Sequence, residues 1–204
     1  MSAPLTFYTN PQSRGGIVRW LLEELGVPYD TVVLDYGTTM KGADYLAINP
    51  MGKVPAIKHG DQVVTECAAI CAYLADAFPD KSMLPPPAHR GAYYRWLFFG
   101  AGPLEAIFTA KAIGWEVPAD RQGMAGFGSF DLAIDTIESA VAGKSFIAGD
   151  AFSAADVYVA SLLDFMLNFK LLEPRAAFDA YLGALRERPA YKRAKEIDAA
   201  LIAG

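Results

Sequence analysis

The sequence predicts a mixed α/β unit of roughly 80 residues followed by a half built only of helices. Three features predict it. Short β-prone runs at the start alternate with one strongly amphipathic run. The proline-rich stretch "PDKSMLPPPAHR" then interrupts the chain. Beyond it, the apolar patterns are helical.

"LTFY", Leu5 to Tyr8, is short and β-prone, and "TNPQSRGG" breaks it with Asn, Pro, Ser and Gly. "IVRWLLEELG" sets Val18, Leu21, Leu22 and Leu25 at helical spacing and stops at Gly26, a natural C-terminal cap. "YDTVVL", Tyr29 to Leu34, reads as a second strand, so the chain opens β-α-β with parallel strands. Residues 35–51 are irregular, with at most one short helix. "KVPAI" and "QVVT" are two short strands, and Lys58 to Asp61 with Gly60 suits a tight hairpin. Glu66 to Phe78 is helical by composition. Pro79, Pro85, Pro86 and Pro87 exclude a helix interior and make a semi-rigid connector.

In the second half, "RGAYYRWLFFGAGPLEAIF" is an aromatic-rich helix bent near Gly102-Pro103. "FGSFDLAIDTIESAVAG" puts Phe130, Ile134, Ile137 and Val141 on one face and ends at Gly143. "FSAADV" is a capping box: Ser153 caps, Asp156 reaches back, and Phe152 is placed to staple onto Val157. Helices around Ala176 to Glu187 and Ala190 to Leu201 follow, separated by Pro189.

The composition narrows the function. A 53% hydrophobic, 20% charged chain of 204 residues supplies an ample core without disulfide or metal staples. A net charge of −5 argues against nucleic acid as main partner, because phosphates need a basic face. Cys67 and Cys71 lie in one helix and read as reduced thiols, which points to a cytoplasmic protein. Met1 to Pro11 lacks the basic start and apolar stretch of a signal peptide. No apolar run approaches the roughly 18 residues of a membrane span. His59 and His89 stand alone and are expected to be exposed, so no metal site is expected. Cys71 reads as a small buried apolar residue.

Two residues raise sharper questions. Pro55 has no N–H and suits a strand start or an edge. X-Pro bonds are cis in only about 5–6% of cases, so the residues alone favour trans. A cis bond would turn the backbone of Val54 outward, where an extended peptide could pair with it. Glu66 sits at a helix start. An acid there ordinarily just complements the helix dipole. Yet Glu66 with the adjacent backbone N–H groups would also meet a ligand carrying both an ammonium and a carboxylate.

With "NPMGKVPAI", "TECAAI", the proline-rich connector and "FSAADV" in this order, the chain resembles a cytosolic glutathione transferase of bacterial type over nearly its whole length. The resemblance implies a thioredoxin-like glutathione-binding domain over 1–80, a linker over 81–87 and an all-helical domain over 88–204. It implies glutathione as co-substrate, a small hydrophobic electrophile as second substrate, no metal, a homodimer and a role in detoxification. A glutathione-dependent peroxidase or disulfide reductase, or a non-catalytic binding protein, is the alternative on the same fold. In that family the proline matching Pro55 is cis, and the residue before it, here Val54, pairs with the cysteinyl backbone of glutathione. Glu66 and Cys67 match the residues that hold the γ-glutamyl end. Cys67 departs from the usual Ser or Thr, and a thiol is a weaker donor, so its N–H is expected to do most of the work. Lys53 is placed for the glycyl carboxylate; otherwise it is an ordinary solvated lysine.

The chemistry requires the thiolate of glutathione, whereas a free thiol of pKa about 8.5 is mostly protonated at neutral pH. Three residues of "FYTNPQSRGG" compete to stabilise it. Ser13 ranks first, by its match to the serine of some classes; its ordinary role is an N-cap. Tyr8 ranks second, by its match to the tyrosine of others; it could simply be a strand-end core residue. Asn10 ranks third, through its amide, and Arg14 adds positive charge beside them. Tyr94 and Phe98 of the aromatic helix are the candidates for the electrophile pocket, although aromatics at helical spacing are more often core.

Overall fold

A computed structural model of the chain describes residues 3–203, so the outermost residues of the expected domains, and the first two of the stretch read for a signal peptide, lie outside the described residues. The described chain forms two compact units, one running to Lys81 and resuming at Arg188, the other Ser82–Glu187. That division corrects the expected 88–204 domain: the last helix belongs with the first unit.

In the first unit, β1 (Leu5–Thr9), α1 (Gly15–Leu25) and β2 (Asp30–Val33) make the expected β-α-β, with Phe7 opposite Thr31 in a parallel pair. The apolar stripe of α1 is buried from Ile17 to Leu25, and Gly26 at φ 60° caps it through its N–H to the Leu22 carbonyl. The irregular stretch contains a 3-10 turn at Thr39–Lys41 and the single-turn α2 (Ala43–Leu46). β3 (Ala56–His59) and β4 (Gln62–Thr65) form the hairpin, turning at Gly60 and Asp61, and α3 (Cys67–Ala77) follows. The sheet order is β2-β1-β3-β4, with β3 antiparallel to both neighbours. This is the thioredoxin-like arrangement the sequence implied. β3 is shorter than "KVPAI" because pairing starts after Pro55, which has no N–H to give to a ladder.

The last helix, α9 (Pro189–Ala203), lies against α1. Arg188 holds Glu24 through two bonds of 2.6 and 2.8 Å, Arg193 reaches Glu23 at 3.2 Å, and the Trp20 and Tyr191 rings meet edge to face. Deeper in, Arg19 Nε donates to Asp198 Oδ1 at 3.0 Å. These partners come from opposite ends of the sequence, which is why the helical spacing of the last residues showed a helix but not its address. His59 corrects another expectation: it is half-buried, with Nδ1 3.0 Å from the Tyr73 hydroxyl and its ring stacked on Phe78. His89 is exposed, and Cys71 is fully buried.

The second unit holds α4 (Arg90–Phe99), α5 (Glu105–Ala112), α6 (Phe130–Val141), α7 (Ala154–Asn168) and α8 (Ala176–Arg186). Between α4 and α5 the backbone widens into a π-helical segment, Gly100–Leu104, rather than breaking at Pro103. Residues 154–164 of α7 are all buried. The capping box at its start is present, and Asp156 does more than cap. Its carboxylate accepts from the Ile147 N–H (2.7 Å), the Ser153 N–H (2.9 Å), the Ser153 hydroxyl (3.1 Å) and the Tyr181 hydroxyl (2.9 Å). Burial pushes the Asp156 carboxyl up, and these bonds oppose that shift. Asp156→Ala strands four buried donors, so we expect a loss of about 2–4 kcal/mol, read as a lower urea midpoint. A midpoint within error of the unsubstituted protein would contradict this account.

Candidate functional site

The sheet register gathers the candidate residues at one end of the first unit. Tyr8 pairs with Ala56, and Ala56 pairs with Thr65. The C-terminal end of β1, the N-terminal end of β3 and the C-terminal end of β4 therefore coincide. From these three points leave the 10–14 loop into α1, the Val54–Pro55 segment and the Glu66 entry into α3.

The Val54–Pro55 peptide bond is cis. Val54 precedes β3, so its N–H and C=O stand outside both ladders. The segment before it is pinned. Asn49 and Tyr45 both donate to the Lys53 carbonyl, from Nδ2 at 2.8 Å and from the hydroxyl at 2.6 Å. Asn49 Oδ1 also accepts from the Met51 N–H at 3.1 Å, and Lys41 Nζ donates to the Gly52 carbonyl at 2.8 Å. Gly52 sits at φ 56°, and a side chain there would stand 2.8 Å from the Met40 carbonyl, so only glycine fits. The Lys53 side chain is exposed. Burial, with the Tyr8 phenol nearby, pushes the Tyr45 hydroxyl up to about 12, while its bond partner Asn49 opposes this.

Glu66 leads into α3 with φ 67° and ψ 118°, a conformation that non-glycine residues seldom adopt. Its side chain is exposed and makes no cap to the helix. The first-turn N–H groups of any α-helix lack partners inside the helix, and a positive end goes with them. The Cys67 thiol is almost buried and donates to the Arg14 carbonyl at 3.7 Å. It thus fastens the start of α3 to the turn that begins α1, a bond that Ser or Thr could also make.

The three thiol-activating candidates differ in how they are engaged. Asn10 is buried and committed at both ends: Nδ2 donates to the Leu34 carbonyl at 2.9 Å, and Oδ1 accepts from the Gln12 N–H at 3.0 Å. The structure therefore makes Asn10 a brace between β1 and the end of β2. Ser13 lies one residue outside the cap position, which Arg14 occupies without a side-chain bond. Its hydroxyl donates to the Asn10 carbonyl at 2.7 Å and accepts from the Gly15 N–H at 2.9 Å. The turn is close-packed, since a side chain on Gly15 would collide with that of Thr9. Tyr8 is half-buried, and its ring lies 5.6 Å from that of Tyr45, in a cluster with Leu34, Met40, Ala56 and Val54. Arg14 is half-buried.

Tyr94 and Phe98 belong to the second unit, exposed one turn apart on α4 with their rings 6.5 Å apart. A cavity of that unit, about 890 Å³, is lined by Arg95, Trp96, Lys144 and Phe146 among others and includes neither of them. Sequence reasoning missed Tyr45, Asn49 and Lys41, the residues that hold the loop. "NPMG" carried the signal for one of them, because Asn before Pro favours a turn closed by its own side chain. Among the described residues, no group of three or more His, Cys, Asp and Glu could hold a metal, and no helix is long and apolar enough to cross a membrane.

Comparison with known proteins places the chain in a family. Residues 16–77 match the model of the glutathione S-transferase N-terminal domain. Glutathione S-transferase A of Pleuronectes platessa is 32% identical over 168 residues, which cover 74% of this chain and 72% of that protein. A glutathione transferase crystal structure from Methylococcus capsulatus superposes with a TM-score of 0.80 at 30% identity, over 96% of this chain and 98% of that one. A sphingomonad glutathione S-transferase complexed with glutathione superposes at 0.77 with 26% identity, over 95% and 98%.

Two outcomes test the pinned loop. Asn49→Ala should raise amide exchange at residues 51–54 by tenfold or more, since about 1.4 kcal/mol of lost bonding equals that factor. Unchanged exchange would remove Asn49 from the loop's support. Tyr45→Phe should delete one phenol ionising at about 12 from the ultraviolet titration. Because its folded pKa is raised, the Tyr45 contribution to stability is complete below about pH 10 and fades as pH climbs towards 12.

Proposed function

We propose that this chain, which belongs to the glutathione S-transferase family, joins the thiolate of glutathione to small hydrophobic electrophiles. The observation that carries the reading is the meeting of cis Val54–Pro55, the Glu66 entry into α3 and the Ser13 turn at one end of the sheet. On this reading the Val54 backbone pairs with the cysteinyl residue. Glu66 takes the γ-glutamyl ammonium, and the Cys67 N–H with its neighbours takes the γ-glutamyl carboxylate. Lys53 meets the glycyl carboxylate. This threading sets the ligand's sulfur towards the start of α1, where Arg14 adds positive charge.

Ser13 is our choice for stabilising the thiolate. Its hydroxyl needs only to rotate from the Asn10 carbonyl to the sulfur, and the Gly15 N–H bond can polarise it. Tyr8 stands second. Asn10 stays third, since one of its two amide N–H groups is already given to the Leu34 carbonyl. Once formed, the thiolate attacks the electrophilic carbon. The new C–S bond forms as the leaving group departs, or as an activated double bond takes up a proton. Tyr94 and Phe98 offer apolar contact to that second substrate. The working form is read as a cytoplasmic homodimer, through α3 and α4, serving detoxification.

Ser13→Ala should cut kcat/KM for an activated aryl halide by roughly 10²-fold or more and raise the apparent pKa of the pH–rate profile, with Tyr8→Phe close to unsubstituted. The reverse ranking would hand the role to Tyr8. Glu66→Gln should weaken glutathione binding by about tenfold or more in calorimetry, by removing one charge-assisted bond. If immobilised glutathione fails to retain the unsubstituted protein, the whole reading falls.

A further inference from the structure

Arg19 and Asp198 form a buried ion pair that the conjugation chemistry above does not use. Arg19 is 1% exposed. Its guanidinium lies over the rings of Phe7 (5.1 Å) and Tyr29 (5.7 Å). Nη1 donates to the Tyr29 hydroxyl at 3.2 Å and the Thr31 hydroxyl at 3.0 Å, Nε donates to Asp198, and Nη2 is buried without a partner. Two ions in a low-dielectric site are costly unless close geometry and further hydrogen bonds offset the lost hydration, so such a pair is weak evidence of stabilisation alone.

The second oxygen of Asp198 reveals what the pair faces. Oδ2 lies 3.4 Å from where a side chain on Gly16 would begin. A carboxylate from the far end of the chain thus stands against the first turn of α1. That turn follows Ser13 and Arg14 directly, and Gly16 itself donates back to the Ser13 carbonyl. The positive end of α1 is the charge a thiolate would draw on. An unpaired carboxylate there would work against the thiolate, and Arg19 offsets it. The other ionisable groups around the pair are Tyr29, Glu23, which accepts from the Tyr29 hydroxyl, and Lys195 on α9.

We propose that Asp198 is a positioning residue: clamped by Arg19, it holds the first turn of α1 from the C-terminal helix and sets the charge beside the thiol-activating turn. This rests on the reading that the glutathione sulfur lies at that turn.

The test titrates glutathione bound to the full chain, by ultraviolet thiolate absorbance, in Asp198→Asn, Asp198→Glu, Lys195→Gln and Glu24→Gln. Asp198→Asn removes the negative charge and leaves Arg19, so the apparent thiol pKa should fall by about half a unit or more. Asp198→Glu should restore it. Glu24→Gln breaks the ion pair that ties α1 to Arg188, just before α9, so it should lower stability while leaving the thiol pKa in place. A purely structural role predicts instead that Glu24→Gln and Asp198→Asn act alike. Should Asp198→Asn not fold, Lys195→Gln decides: loss of a cation facing Asp198 should raise the thiol pKa, and no rise overturns the proposal. Calorimetry separates the two layers. No glutathione binding by the unsubstituted protein sinks the functional reading, whereas normal binding with an unmoved thiol pKa in Asp198→Asn sinks only the positioning role.

Discussion

Everything at the site follows from β3 running antiparallel to β1 with Ala56 opposite Tyr8. Had the hairpin joined the sheet parallel, Pro55 and the end of β1 would lie at opposite ends. In the register observed, one strand end delivers the start of α1, one strand start delivers Val54, and the next strand end delivers Glu66. A peptide laid across that end would meet an unladdered backbone in its middle and a helix N-terminus at one end. The register is held because a slip by one residue would turn buried Phe7 and Ile57 to the opposite faces of the sheet.

A strand end is not rigid by itself, and the bonds around it show how the site is stiffened. Tyr45 and Asn49 converge on one acceptor, the Lys53 carbonyl. Lys41 takes the next carbonyl back, that of Gly52. Cys67 closes the gap between α3 and the first turn of α1. None of these groups needs to touch a ligand. They fix the backbone that would, so that less entropy is lost when a flexible tripeptide binds. Cys67 thereby acquires a structural reason to be there. Its thiol is buried and bonded to a carbonyl.

The two ends of the chain are locked by charge in a way that hydrophobic periodicity cannot encode. α9 is the least apolar of the helices that bear on the site, burying Ala190, Ala194 and Asp198 at four-residue intervals. Small alanines let the helix come close, and Asp198 reaches through to Arg19. In the second unit the same economy of polar groups appears at Asp156. One carboxylate there orders the start of α7, the preceding loop at Ile147 and α8 at Tyr181.

The sequence by itself determined the kinds of element and most of their limits. The stripe from Val18 to Leu25, the stop at Gly26, the hairpin at Gly60 and the box from Ser153 to Asp156 all act over a few residues, where spacing and turn chemistry decide. It also drew attention to Glu66 and Pro55, through the order of "NPMGKVPAI" and "TECAAI" rather than through either residue alone. Only the tertiary structure decided which partners those elements take. Arg19 with Asp198, Asn10 with Leu34, and Tyr45 with Lys53 span 179, 24 and 8 residues respectively. Such polar contacts carry no periodicity, and each depends on where two separately folded segments come to rest. That is why the bonds of Asn10 to Leu34 and Gln12 were not legible in the sequence, and why the last helix read as part of the second half and groups with the first unit.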